Sequence, residues 1–135
     1  MNEHENVQRI RDLYRGIAEG DVATFADLIH PDVVWHFPGS SWMAGTRKGI
    51  ADVGAMFMEL SARTNNRFAP RLRDAVGNGE RVVSIVDAHI TVDGETFDSP
   101  VCVLYEFEGG KVVEVREFIF EAQAGDAFWA RHPGP

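Results

Sequence analysis

From residue 67 onward the sequence stops repeating every three or four positions and begins to run in strands. Its apolar residues there fall into four long stretches, about 67–76, 81–92, 96–107 and 111–120. Between them stand Gly77-Asn78-Gly79, Asp93-Gly94 and Glu108-Gly109-Gly110, residues that tolerate the positive φ of a tight turn. Turns this short join antiparallel neighbours, since a parallel return needs a crossover of a dozen residues or more. The second half therefore predicts an antiparallel meander, and the first half has to cover one face of it.

The first half reads as helices. Val7, Ile10, Leu13, Tyr14 and Ile17 share one face of a first helix, by their three- and four-residue spacing. Gly20 ends it, and Asp21 takes the N-cap of a short second helix carrying Val22, Phe25, Leu28 and Ile29. His30-Pro31-Asp32 breaks that pattern, and residues 33–37 form a short strand closed by Pro38-Gly39. A loop through residues 40–45 leads to a third helix over about 48–63, striped with Ile50, Val53, Met56, Phe57 and Leu60. Residues 126–130 read as a capped helical turn before the Pro-Gly-Pro tail. The expected fold is α+β: three N-terminal helices packed into a strongly curved, mostly antiparallel sheet. Such a sheet closes into a cone around its longest helix and leaves a small-molecule cavity between them.

At 135 residues, 44% of them hydrophobic, the chain suits one domain spanning 1–135. Its 13 basic against 21 acidic residues give a net charge of −8, which repels phosphate backbones and anionic lipid and argues against nucleic-acid or membrane partners. Arg67, Arg71 and Arg73 alternate with other residues as a solvated strand edge would. No apolar run approaches the ~20 residues of a membrane helix, and the polar stretch Met1-Asn2-Glu3-His4-Glu5-Asn6 is unlike a signal peptide. A lone cysteine, Cys102, excludes an internal disulfide and suits a reducing, cytoplasmic setting. Histidines at 4, 30, 36, 89 and 132 lack metal-ligand spacing. No glycine-rich phosphate cradle follows a strand into a helix. Neither metal nor nucleotide cofactor is expected.

The element order, with Gly20-Asp21, Val34-Trp35-His36-Phe37-Pro38-Gly39, Ala44-Gly45-Thr46 and the stretch from Gly110-Lys111-Val112-Val113 to Glu114-Val115-Arg116-Glu117-Phe118, resembles the SnoaL-like branch of the nuclear transport factor 2 superfamily. The resemblance spans nearly the whole chain. It implies the cone-shaped fold, and a group holding ketosteroid isomerases, polyketide cyclases, epoxide hydrolases, dehydratases and proteins without chemistry. The steroid isomerases carry a general-base aspartate just before a proline at the end of the first strand; aligned through Pro38, that place is Phe37. Their oxyanion site uses a first-helix tyrosine and a penultimate-strand acid. Tyr14 lies one residue out of register with the first, and the second falls on Cys102 or Val103. The Arg-plus-two-Asp set of limonene-epoxide hydrolases has no match on the strands.

Side chains alternate across a strand, so parity selects what can face the cavity. In the last strand Val113, Val115, Glu117, Ile119 and Glu121 share one face. By the resemblance, the face with Val115 and Ile119 lines the pocket and carries Glu117 inside. Desolvation there would raise the pKa of its carboxyl into an acid/base range; an ion pair with an arginine at a sheet surface is the competing role. Asp87 and His89 lie two apart, on the face shared by Val83 and Ile85. They form a candidate catalytic pair, against two ordinary polar residues on a solvated face. Trp35, Phe37, Met56 and Phe57 are candidate pocket walls or core. His36 is a candidate ligand contact or a structural histidine. Trp42, with Met43, is a candidate lid or edge cover, and Tyr14 an inward hydrogen-bond donor or a packed ring. Cys102 reads as a buried apolar residue rather than a nucleophile.

Two functions fit. One is a cofactor-independent acid/base enzyme (isomerase, cyclase or dehydratase) on a small hydrophobic metabolite, with His89, Asp87 and Glu117 catalytic. The other is a non-catalytic small-molecule binder using the same cavity. The outer sheet face, with Phe118 and Phe120, predicts a homodimer.

Overall fold

Helical periodicity, turn glycines and strand alternation each reappear where the sequence puts them, in a computed structural model that describes residues 3–134. Met1 and Asn2 of the polar N-terminal stretch, Pro135, and the side chains of Glu3, His4 and Val22 lie outside the described residues. In chain order the elements are α1 (Glu3–Glu19), α2 (Val22–Leu28), β1 (Ile29–Phe37), β2 (Gly45–Lys48), α3 (Ile50–Thr64), β3 (Phe68–Gly77), β4 (Arg81–Val92), β5 (Glu95–Glu108), β6 (Lys111–Ile119) and α4 (Ala122–Arg131).

One six-stranded sheet runs in the order β2-β1-β6-β5-β4-β3. All its pairings are antiparallel except β1 with β6. The β4–β5 hairpin shows why its turn needs Asp93-Gly94: both residues hold positive φ, 49° and 82°, as a two-residue turn matched to the strand twist requires. Its concave face packs on the apolar stripes of α1 and α3. Ile10, Leu13, Val33, Val53, Val82, Val112 and Val115 form the centre of the main core. A second cluster of Leu60, Ile90, Val92, Phe128 and Trp129 joins α4 to α3 and the far end of β4. Among the described residues no helix is long and apolar enough to cross a membrane.

Three expectations change. Ile29 opens β1 instead of closing α2, and β1 tolerates Pro31 through an irregular register between Ile29 and Val34. The Gly45–Lys48 segment is a strand rather than loop or helix, paired to β1 from Val34 to Phe37. Its sequence, Gly-Thr-Arg-Lys, has no apolar alternation to announce an edge strand. Finally, α4 starts four residues before Asp126. Asp126 does not cap it: its carboxylate accepts from Ser40 N at 3.0 Å and Ser40 Oγ at 3.1 Å, tying α4 to the loop after β1.

Candidate functional site

Between the concave sheet, α1, α3 and α4 lies a cavity of about 1120 Å³. Its walls are mainly apolar, with Trp35 and Phe37 from β1, Phe25 from α2 and Phe57 from α3 forming an aromatic box. The Phe25 and Phe37 rings lie within 28° and 10° of the Trp35 plane, while Phe57 stands across all three at 70–78°. Gly39 allows the mouth to close on α4. Its φ of +92° favours glycine, and a Cβ there would sit 2.6 Å from Asp126 Oδ1 and push that carboxylate aside.

The chemistry of the wall centres on Glu117. The β5–β6 register sets it opposite Val103, between the pairs Tyr105–Val115 and Val101–Ile119, so its flanks are apolar. Trp35 Nε1–H donates to Glu117 Oε2 at 2.9 Å. Burial among these groups pushes the Glu117 carboxyl up to about 7, with the Trp35 hydrogen bond opposing the rise. Nearby, the Tyr14 hydroxyl lies 2.7 Å from that of Tyr105 and 3.0 Å from Ser84 Oγ. Burial raises the Tyr14 phenol to about 12 and that of Tyr105 well above its ordinary value, with Glu117 adding to both rises. Both therefore stay neutral donors at physiological pH.

The residues singled out from sequence divide. Tyr14, Trp35, Phe37, Phe57, Glu117 and Ile119 line the cavity together. Asp87 and His89 do not. They stand on the convex face, where Asp87 pairs with Arg73 at 2.8 Å and His89 Nδ1 lies 2.5 Å from Asp98. Strand β4 is apolar on both faces, and it is Val82, Ser84, Val86, Ala88 and Ile90 that turn inward or line the cavity; parity set the pair apart, but on the wrong side. His36 also points outward, bound by Thr46 at 3.0 Å and Glu114 at 2.7 Å, which holds the Glu114 carboxyl below its usual value. Met56 and Val115 are core, 3% and 0% exposed, behind the lining layer. Trp42 is no lid over the ligand space: it meets Trp129 edge-on at 5.4 Å under the Arg63 guanidinium, and Met43 lines the mouth in its place.

Ser84, Tyr105 and Asp126 were missed. The first two could have been found by counting the β4–β5–β6 registers outward from the turns, which place Ser84, Val103 and Glu117 in one row. Asp126 gave no signal beyond looking like a helix cap. Among the described residues no three His, Cys, Asp or Glu side chains gather as a metal would need.

Residues 10–115 match the family model of the SnoaL-like domain. Among solved structures, that of Bal32a, from a soil-derived mobile gene cassette, superposes with a TM-score of 0.90 at 30% identity, covering 95% of this chain and 99% of that one. A Xanthomonas campestris protein of unknown function with a cystatin-like fold superposes at 0.86 with 34% identity, over 96% and 98% of the two chains. An uncharacterised Mycobacterium tuberculosis protein is 24% identical over 131 residues, 96% of this chain and 100% of its own length.

Proposed function

This chain belongs to the SnoaL-like domain family, and from that premise we propose that it is a cofactor-free acid/base enzyme of the isomerase, cyclase or dehydratase type, acting on a small hydrophobic metabolite in the cavity. The observation that carries this reading is Glu117, a carboxyl on an apolar wall with its pKa raised to about 7. A base tuned near the working pH combines a useful ionised fraction with driving force for proton transfer. Each of these reactions can begin by removing a proton from carbon beside a carbonyl. The Glu117 carboxylate takes that proton, the C–H pair becomes the enolate double bond, and the acid returns the proton to carbon, to a departing hydroxyl, or to the alkoxide left when the enolate carbon closes on a second carbonyl. Tyr14 and Tyr105 supply the opposing donor, with the buried Ser84 hydroxyl behind them. The two tyrosine hydroxyls bond each other and Ser84, and a ligand oxygen would draw one of these protons to itself.

A simple bicyclic ketone, 2-tetralone, tests this without knowledge of the natural substrate. In D2O the protein should speed deuterium entry at the carbons flanking the carbonyl, followed by NMR. Saturable binding of the ketone with exchange at the buffer rate would overturn the enzyme in favour of a ligand-binding protein.

We further propose that a second copy of the chain covers the convex sheet face. Phe118 and Phe120 are 49% and 63% exposed there, and the β4–β5–β6 register sets Ile85, Cys102 and Phe118 in one row. An apolar strip of this kind on a sheet suits isologous packing. Sedimentation velocity at micromolar concentration should give a dimer for the native chain and a monomer for Phe118→Glu. A native monomer would end the idea.

A further inference from the structure

The ionisable groups around the cavity are one-sided. They are Tyr14 from α1, Asp21 at the cap of α2, Tyr105 from β5, Glu117 from β6 and Asp126 from α4; among the described residues no Arg, Lys or His lines it. Arg67, Arg71 and Arg116 stand beside lining residues in sequence without lining the cavity themselves, and Arg47 and Arg63 are engaged elsewhere. Arg47 donates to the carbonyls of Trp42 and Met43, and Arg63 to Glu59 and the Pro133 carbonyl.

Resting on the acid/base reading above, we infer that the cavity is charge-selective: it takes uncharged aromatic molecules bearing carbonyl or hydroxyl oxygens and excludes carboxylates, sulfonates and phosphates. An anion entering an apolar space gives up its water and needs a cation or several free N–H donors in return. Among the described residues this wall has no cation, and its one side-chain amide is that of Asn66. The Trp35 N–H is already given to Glu117, and the tyrosine and serine hydroxyls are tied to one another. At the mouth the acids are also spoken for, Asp21 by Ala23 N and Thr24 Oγ and Asp126 by Ser40, yet their charge still meets whatever enters. The net charge of −8 adds to that repulsion. A neutral carbonyl or phenol meets none of these costs and needs only one hydrogen bond, from a tyrosine hydroxyl. The near-parallel Phe25, Trp35 and Phe37 rings give a planar molecule a flat wall, and about 1120 Å³ leaves room for several fused rings.

Two dyes that differ by one sulfonate test this: neutral N-phenyl-1-naphthylamine and anionic 1-anilinonaphthalene-8-sulfonate, titrated by fluorescence at pH 8. The neutral dye should bind at least about ten-fold tighter, as expected for an added charge facing like charge at low effective dielectric. Gly54→Phe reports whether binding is inside the cavity. Gly54 lines it, and an added Cβ meets nothing within 4 Å, so the ring fills ligand space and should abolish binding of the neutral dye. Glu117→Gln at the same pH should raise the affinity of the anionic dye several-fold and so narrow the gap between the two dyes. Equal affinities for both dyes, both lost in Gly54→Phe, would overturn charge selection and leave the acid/base reading standing. Failure of the neutral dye to bind would overturn the apolar site itself, and with it both readings.

Discussion

Glu117→Gln is expected to lower the protein-catalysed exchange of ketone α-hydrogens by about 10²–10⁴-fold, the range supplied by a positioned general base, while ketone affinity stays within a few-fold. The amide keeps the size of the carboxyl and can still accept from Trp35 Nε1, so the aromatic box should survive; what goes is the basic oxygen. His89→Ala serves as the contrast, because His89 is on the convex face with Asp98 and its loss should leave the rate unchanged. In the native protein the rate should climb about ten-fold per pH unit up to about 7 and then level, since only the carboxylate is a base. The same shift has a stability consequence of opposite sense. A carboxyl whose folded pKa is raised from 4.5 to about 7 costs nothing below pH 4.5, where it is protonated in both states. Above 7 it is ionised in both, and the fold bears the full cost of burying the charge, on the order of 3 kcal/mol at most. Native stability should therefore fall between pH 4.5 and 7, and the glutamine variant should be flatter there and more stable at pH 8. A variant that keeps its rate, or a native rate flat from pH 5 to 8, would remove Glu117 from the chemistry.

The fold was legible because its punctuation is local. Asp93-Gly94 turns only one way, and the stripe Ile10, Leu13, Tyr14 repeats at only one period. Sites are less legible, because facing inward is a property of the sheet and not of the strand. On β6 the answer came out right for Glu117 although the β5–β6 register shifts between Glu106 and Phe107, which brings Val112 as well as Val115 into the core. The irregularity lies ahead of Glu114, so alternation from Val115 to Ile119 is intact. On β4 no such cue existed. Val82, Val83, Ile85 and Val86 make both faces apolar, one because it faces the core and the other because it continues the convex strip beside Cys102 and Leu104. Polar residues on such a strand cannot be assigned a side from their neighbours alone. The tyrosine–serine network joins residues 14, 84 and 105; Ser84 and Tyr105 come into line only through the registers between strands, and Tyr14 only through the packing of α1.

Phe128→Ala should be the most damaging single truncation for stability, by about 3–5 kcal/mol, as for other buried aromatic deletions. The sequence made the last segment a mere helical turn, yet α4 supplies the apolar plug at one end of the cone. Phe128 is 1% exposed and meets Phe97, Trp129 and His132 with ring centroids 5.7, 5.2 and 4.9 Å away. A ten-residue helix is too short to persist without its packing, so losing Phe128 leaves α4 held by Trp129, Asp126 and the Arg131–Glu95 pair. That pair is exposed and adds little. Only Trp42, Met43 and Phe57 pack against both this cluster and the main core, so few side chains can close over the gap, and relaxation recovers little of the loss. Melting should drop by on the order of 10–20 °C. Because Gly125, Asp126 and Trp129 on the same helix wall the cavity, binding of N-phenyl-1-naphthylamine should weaken well beyond what a remote core truncation of equal cost would cause. Phe128→Leu, which refills most of the volume, should recover most of both. A normal melting temperature in the alanine variant would mean that α4 is not what seals the cone, and the cavity would then have to be regarded as open at that end.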